Sequence, residues 1–187
     1  MKHRIFIAIN LPEEIKRELS SFQEKWPELP CRWTKKDNLH ITLIFLGYLS
    51  DEEILNLLKI TKEVVNKYRP FSIALKRIIY GPPDKPPRMI WVEGEKSPIL
   101  TNLKNNLENI LFQTIVKEKE KRNYLPHITL GRLKTWAFRQ IEPEERPIID
   151  EEIDLSFEVN SIEVMESQLK RSGPDYLVLE SIPLKQV

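Results

Sequence analysis

Runs of apolar residues along the chain change period several times, and each change marks an element. Arg4 to Asn10 is continuously apolar apart from its ends, the pattern of a strand buried on both faces. Pro12 then suits the first turn of a helix, and Ile15, Leu19, Phe22 and Trp26 follow at helical spacing, which predicts a helix over Glu13 to Trp26. Pro27 and Pro30 end it, and Arg32-Trp33-Thr34 is a short strand candidate. Leu39 to Leu46 reads as a strand stopped by Gly47. Asp51 to Tyr68 reads as a second helix, with Ser50 as N-cap, Glu53 three residues on, and Ile54, Leu57, Leu58, Thr61 and Val65 on its apolar face. Strands are expected at Phe71 to Ile79 and Met89 to Val92, separated by the proline-rich loop from Gly81 to Pro87. A third helix is expected from Ser97 to about Gln113, then a charged connection from Lys117 to Arg122. Three further strands follow: His127 to about Leu133, Asp154 to Met165, and Tyr176 to Ile182, the last two joined by a turn at Ser172-Gly173-Pro174.

Short strands in this order, without regular strand-helix-strand repetition, point to an α+β fold rather than a doubly wound sheet. No segment reads as a linker between independent units, so residues 1–187 are expected to form a single bilobal domain.

Within this pattern one tetrapeptide occurs twice. His40-Ile41-Thr42-Leu43 returns as His127-Ile128-Thr129-Leu130. Side chains of a strand alternate between faces, so in each copy the imidazole and the hydroxyl share one face while the two aliphatic residues enter the core. Histidine is scarce: His3 is the only other one. Two facing imidazoles supply one general base and one general acid, and two hydroxyls supply donors for the non-reacting oxygens of a phosphate. A single copy would ordinarily be a hydrogen-bonded structural histidine. The repetition, with each copy beside loop residues, favours chemistry. Arg132 is a further candidate for gripping phosphate. Strict alternation from His127 places it on the wrong face, unless Gly131 marks a bulge that turns it back.

Composition narrows the class. The chain has 187 residues, 41% hydrophobic and 30% charged, as expected of a soluble globular protein. No apolar run approaches the ~20 residues of a membrane span, and the N-terminus reads as a first strand rather than a signal peptide. The single Cys31 rules out an internal disulfide and a cysteine-based zinc cluster. Together these predict a cytoplasmic protein. A net charge of +1 argues against binding a long nucleic acid through many phosphates, and confines any such contact to a terminus or short segment. Two histidines with no nearby carboxylate make a poor metal site, so no metal and no cofactor are expected.

Asn38-Leu39-His40-Ile41-Thr42-Leu43-Ile44-Phe45-Leu46-Gly47 and Pro126-His127-Ile128-Thr129-Leu130-Gly131-Arg132 resemble the paired His-x-Thr-x motifs of the two-histidine (2H) phosphoesterases. The opening Arg4 to Pro12, Ile90-Trp91-Val92, Glu166 to Leu169 and Gly173 to Tyr176 are similar to the branch of bacterial and archaeal RNA 2′,3′-cyclic phosphodiesterases, long called 2′-5′ RNA ligases. The resemblance implies a bilobal α+β fold with two mainly antiparallel sheets, flanking helices, a central cleft and approximate two-fold symmetry. It implies metal-free hydrolysis of a terminal RNA 2′,3′-cyclic phosphate to a 2′-phosphomonoester, and a reverse reaction that joins ends through a 2′-5′ linkage. It makes His40 the proton donor and His127 the proton acceptor; the residues themselves put Thr42 and Thr129 on the phosphate, and Arg132 too if a bulge at Gly131 turns it. The residues alone leave the acid and base assignment open. The expected partner is an RNA terminus or short oligonucleotide with a 2′,3′-cyclic phosphate, tRNA fragments included, acted on by a monomer. A 2H enzyme for another cyclic nucleotide or a 2′-5′ oligonucleotide, and a non-catalytic module binding RNA ends, are the alternatives. Trp33, Trp91 and Tyr176 are candidates for stacking on a base, Trp91 more readily as core. Lys35, Lys36, Arg88, Lys170 and Arg171 are candidates for steering the RNA end, each also readable as a solvated charge. His3 is expected to be structural or exposed.

Overall fold

The computed structural model describes residues 1–83, 85–115, 124–170 and 173–185. In chain order the elements are β1 (Lys2–Asn10), α1 (Glu13–Phe22), β2 (Cys31–Trp33), β3 (His40–Ser50), α2 (Asp51–Val65), β4 (Phe71–Gly81), β5 (Met89–Gly94), α3 (Pro98–Thr114), β6 (His127–Leu133), α4 (Thr135–Arg139), β7 (Asp150–Val159), β8 (Ser161–Lys170) and β9 (Gly173–Pro183).

Eight strands lie in the order β7-β4-β5-β6-β3-β1-β8-β9, and β2 adds to β6. Every ladder is antiparallel. The arrangement has two halves, β7-β4-β5-β6 and β3-β1-β8-β9, each ending in a strand that starts with the repeated tetrapeptide. The two expected sheets therefore meet edge to edge. Only Ile41 and Ile128 are paired across the seam, and through them the strands form a single nine-stranded sheet. The buried Ile and Leu residues of both halves, with those of the helices, form one core cluster.

Local chemistry explains the elements. Ser50 accepts from the Glu53 amide while the Glu53 carboxylate accepts from the Ser50 amide, so α2 begins with a reciprocal capping box. Ser97 caps α3, with Pro98 in its first turn. Strand β1 lacks alternation because both its faces are covered. Ile5, Ile7 and Ile9 join the main core, whereas Phe6 and Ala8 join a small second cluster with Met165 and Tyr176.

Several boundaries differ from expectation. Gly47 does not stop β3. It takes φ +77 at a register shift, which lets the strand continue to Ser50. Trp26 falls outside α1, which tightens into a 3₁₀ turn after Phe22. The strand expected from Asp154 to Met165 is two strands, β7 and β8, broken at Asn160. The five-residue α4 was not expected. The charged run Lys117 to Arg122 lies outside the described residues, as does Ser172 of the expected turn, whereas Gly173 and Pro174 begin β9.

Candidate active site

The seam between β3 and β6 places the two tetrapeptides side by side. In each, the burial pattern follows the predicted parity. Ile41, Leu43, Ile128 and Leu130 are buried, whereas His40, Thr42, His127 and Thr129 are only partly covered. These four polar residues all line one cleft of about 550 Å³.

Both imidazoles are held in the same way. His40 Nδ1 lies 2.7 Å from the carbonyl oxygen of Asn38, and His127 Nδ1 lies 2.8 Å from that of Leu125, in each case two residues back. A carbonyl only accepts, so Nδ1 carries the proton and Nε2 is the nitrogen left for proton exchange. His40 Nε2 lies 2.9 Å from Thr42 Oγ1. Asn38 is fixed in turn, donating from Nδ2 to the Pro174 carbonyl at 2.7 Å.

The strands also bend alike. Opposite β1, register slips so that Leu43 is the extra residue; opposite β5, the extra residue is Leu130. Each bulge buries two residues in succession and turns the next one outward. The outward residues are Phe45 and Arg132, both exposed and both lining the cleft. Arg132 thus reaches the same cleft as His127, through the irregularity at Gly131 that the sequence suggested.

The walls differ. Trp91 stacks on His127, with ring centroids 3.7 Å apart and planes 19° from parallel. Gly81 makes this possible: a Cβ there would come within 2.4 Å of the Trp91 ring. His40 meets the edge of Tyr176 at 5.0 Å and the tilted ring of Phe6 at 5.1 Å. Burial pushes the His40 imidazole down to about 4, against the opposing pull of its bond to the Asn38 carbonyl. The charges of His127, Lys16 and Arg132 push it further down.

Charge on the cleft walls is one-sided. Arg32, Lys35, Lys85, Lys104 and Arg132 line it, and among the described lining residues there is no carboxylate. A protein of net charge +1 has thus concentrated cations where an anion would sit. Among the described residues no group of three or more His, Cys, Asp or Glu could hold a metal ion.

Other candidates are spread out. Trp33 and Tyr176 line the cleft, and Trp91 does so while serving as the platform for His127. Lys35 lines it but pairs with Asp175 at 3.2 Å. Lys36 pairs with Glu13, and Lys170 with Asp175. Arg88 is exposed and does not line the cleft, and Arg171 is outside the described residues. His3 lies elsewhere, bridging Glu166 and Asp51. Burial raises the half-buried Cys31 thiol to about 12, so it stays protonated. Sequence reasoning missed Tyr124 and Lys104. Tyr124 Oη donates to the Thr42 carbonyl at 3.2 Å, and Lys104 lies over the Tyr124 ring and pairs with Glu108 at 2.8 Å. Lys104 follows the apolar Leu103 in an amphipathic helix, and its partner four residues on was the one available signal.

Two anchored imidazoles with two hydroxyls in a cationic cleft, on a pseudo-symmetric antiparallel sheet, define the class of two-histidine phosphoesterases. Comparison with known proteins agrees. Residues 9–91 match the model of the LigT like Phosphoesterase family. The RNA 2′,3′-cyclic phosphodiesterase of Methanocaldococcus jannaschii is 31% identical over 181 residues, 95% of this chain and 98% of that protein. That of Thermotoga maritima is 30% identical over 94% of this chain and 92% of its own. The structure of E. coli LigT complexed with 3′-AMP superposes with a TM-score of 0.81 at 26% identity, covering 100% of both chains. The chain belongs to the LigT-like 2H phosphoesterases, and it is an enzyme with cyclic phosphodiesterase activity.

Proposed function

We propose that this enzyme opens the 2′,3′-cyclic phosphate at an RNA terminus to a 2′-phosphomonoester, by acid-base catalysis between His40 and His127 without a metal. The observation that carries this reading is the matched pair of imidazoles. Each is anchored through Nδ1 by the carbonyl two residues back, and each lines the cleft beside its own threonine. The names of the relatives and the bound 3′-AMP of the E. coli neighbour support an RNA-derived substrate.

In this reading His127 takes a proton from water as the water oxygen bonds to phosphorus. The bond from phosphorus to the 3′-oxygen breaks, and His40 gives that oxygen a proton. One water is consumed and the phosphate stays on the 2′-oxygen. Thr42 and Thr129 donate to the non-bridging oxygens as their charge grows. Arg132 adds a fixed positive charge from the wall, which acts on the reacting phosphate through space as it does on His40. Burial and the neighbouring cations make His40 resist protonation, and the negative charge of a phosphodiester beside it would oppose this. The substrate thus brings the condition under which the acid can act. With the 5′-hydroxyl of a second RNA in place of water, the same step joins the two ends: His127 takes the hydroxyl proton, its oxygen bonds to phosphorus, the 3′-oxygen leaves with a proton from His40, and a 2′-5′ linkage remains. The chain acts as a single bilobal domain and as a monomer in the cytoplasm. Among the described residues no helix is long and apolar enough to cross a membrane.

The test is incubation of the enzyme with an oligonucleotide ending in a 2′,3′-cyclic phosphate, with and without excess EDTA. The expected product carries phosphate on the 2′-oxygen alone, at the same rate in both samples. Phosphate left on the 3′-oxygen, or activity lost to the chelator and restored by a divalent metal, would contradict the reading.

A further inference from the structure

The cations of the cleft include two contrasting pairs. Lys35 and Lys104 are held by carboxylates, Asp175 and Glu108. Arg32 and Arg132 have no carboxylate partner among the described residues, and the Arg132 guanidinium donates to the Met89 sulfur at 3.5 Å. These two arginines are directly opposite each other. In the pairing of β2 with β6, Cys31 faces Leu133, Arg32 faces Arg132 and Trp33 faces Gly131. Cys31 and Trp33 lie on the Gly131 side, where a Cβ on Gly131 would come within 2.5 Å of Cys31 Sγ and 2.8 Å of the Trp33 ring. Alternation then turns both arginines to the other side, where both are exposed and both line the cleft.

Like charges directly opposite on adjacent strands destabilise a sheet. Here the repulsion is imposed by a register that Gly131 alone permits. The pair is offset from the reacting centre. Along β6, Arg132 stands three residues beyond Thr129, roughly 10 Å at the rise of an extended strand and less across the bulge. Two guanidinium forks side by side fit the oxygens of one phosphate group.

We propose that Arg32 and Arg132 together form a second phosphate site, which holds the phosphate on the 5′-oxygen of the nucleoside whose 2′,3′-cyclic phosphate is being opened. The proposal rests on the phosphodiesterase reading above. A terminal cyclic phosphate has a neighbouring phosphate only on its 5′ side, so this site distinguishes an RNA end from a free nucleoside cyclic phosphate. Arg32 is then a specificity-determining residue on a strand outside both histidine motifs.

The experiment compares three substrates: a nucleoside 2′,3′-cyclic phosphate, the same compound with a 5′-phosphate, and a dinucleotide ending in the cyclic phosphate. The native enzyme is expected to prefer a substrate with the second phosphate by about tenfold or more in kcat/KM. Arg32→Gln is expected to abolish most of that preference, Arg32→Lys to keep part of it, and raised salt to diminish it. Arg32→Gln is also expected to melt no lower than the native enzyme, since it relieves the repulsion. A preference for the dinucleotide shows that an internal phosphodiester fills the site; a preference confined to the 5′-phosphate shows that a monoester does; each supports the proposal if it depends on Arg32. No preference in the native enzyme, or one untouched by Arg32→Gln, overturns the proposal and leaves the phosphodiesterase reading standing. Hydrolysis of none of the three overturns both.

Discussion

The two motif strands share a tetrapeptide, a carbonyl anchor and a bulge, and differ in nearly everything that surrounds them. Opposite Thr42 on the neighbouring strand stands Ala8; opposite Thr129 stands Trp91. The small residue leaves room beside His40 that Phe6 fills at a tilt and Tyr176 edge-on, whereas the indole lies flat against His127. Past the bulge, β3 turns Phe45 into the cleft and β6 turns Arg132. Repetition thus supplies two imidazoles anchored alike, and the flanks make them unequal. Acid-base catalysis needs that inequality, because one imidazole must hold a proton when the other does not.

The largest expected effects come from removing either carrier. His40→Ala and His127→Ala should each lose about 10²–10⁴ in kcat, and the double variant should be little worse than either single one. Single-turnover rates on a cyclic-phosphate oligonucleotide would measure this. If one variant stayed near the native rate, the equivalence of the two strands would fail.

Smaller losses should follow removal of the hydroxyls. Thr42→Val and Thr129→Val each remove one donor to the phosphate and leave both imidazoles, so roughly tenfold is expected for each. The pair also sharpens the comparison. Thr42 contacts His40 Nε2 directly, so Thr42→Val should in addition shift the limb of the pH profile on which the donor loses its proton.

A separate effect lies in stability rather than in rate. His40 has its folded-state value depressed to about 4, below the ordinary 6.5, so folding favours the neutral ring. The stability that this represents is present above pH 6.5 and is lost as pH falls toward 4. It is on the order of 3 kcal/mol, because each tenfold loss of proton affinity on folding is worth ~1.4 kcal/mol. Urea melts of the native enzyme and of His40→Asn should converge as the pH is lowered across this window. Parallel loss in both would place the acid sensitivity elsewhere.

Much of this arrangement was legible because it is local. The tetrapeptides named four residues that line one cleft, Ser50 and Glu53 marked the start of α2, and Gly131 suggested the bulge that delivers Arg132. What escaped depends on contacts distant in sequence. The break at Asn160 was hidden because β7 and β8 carry continuous strand-forming sequence with no glycine or proline between them. Gly47 looked like a terminator because only its pairing with β1 shows that the strand continues. The opposition of Arg32 and Arg132 is a matter of register between strands far apart in the chain, which no local pattern encodes. Trp91 was readable as core from its apolar strand, but its stacking on His127 depends on the space left by Gly81.

The division of labour between the strands is tested most directly with a leaving group that needs no proton. In a cyclic substrate with bridging sulfur in place of the 3′-oxygen, departure of the thiolate requires no general acid, while attack by water still requires a base. His40→Ala should recover most of its lost rate on this substrate, and His127→Ala should remain impaired. Recovery of His127→Ala with His40→Ala still impaired would contradict the assignment of donor and acceptor. Recovery of neither would contradict proton donation to the leaving oxygen as the task of either strand.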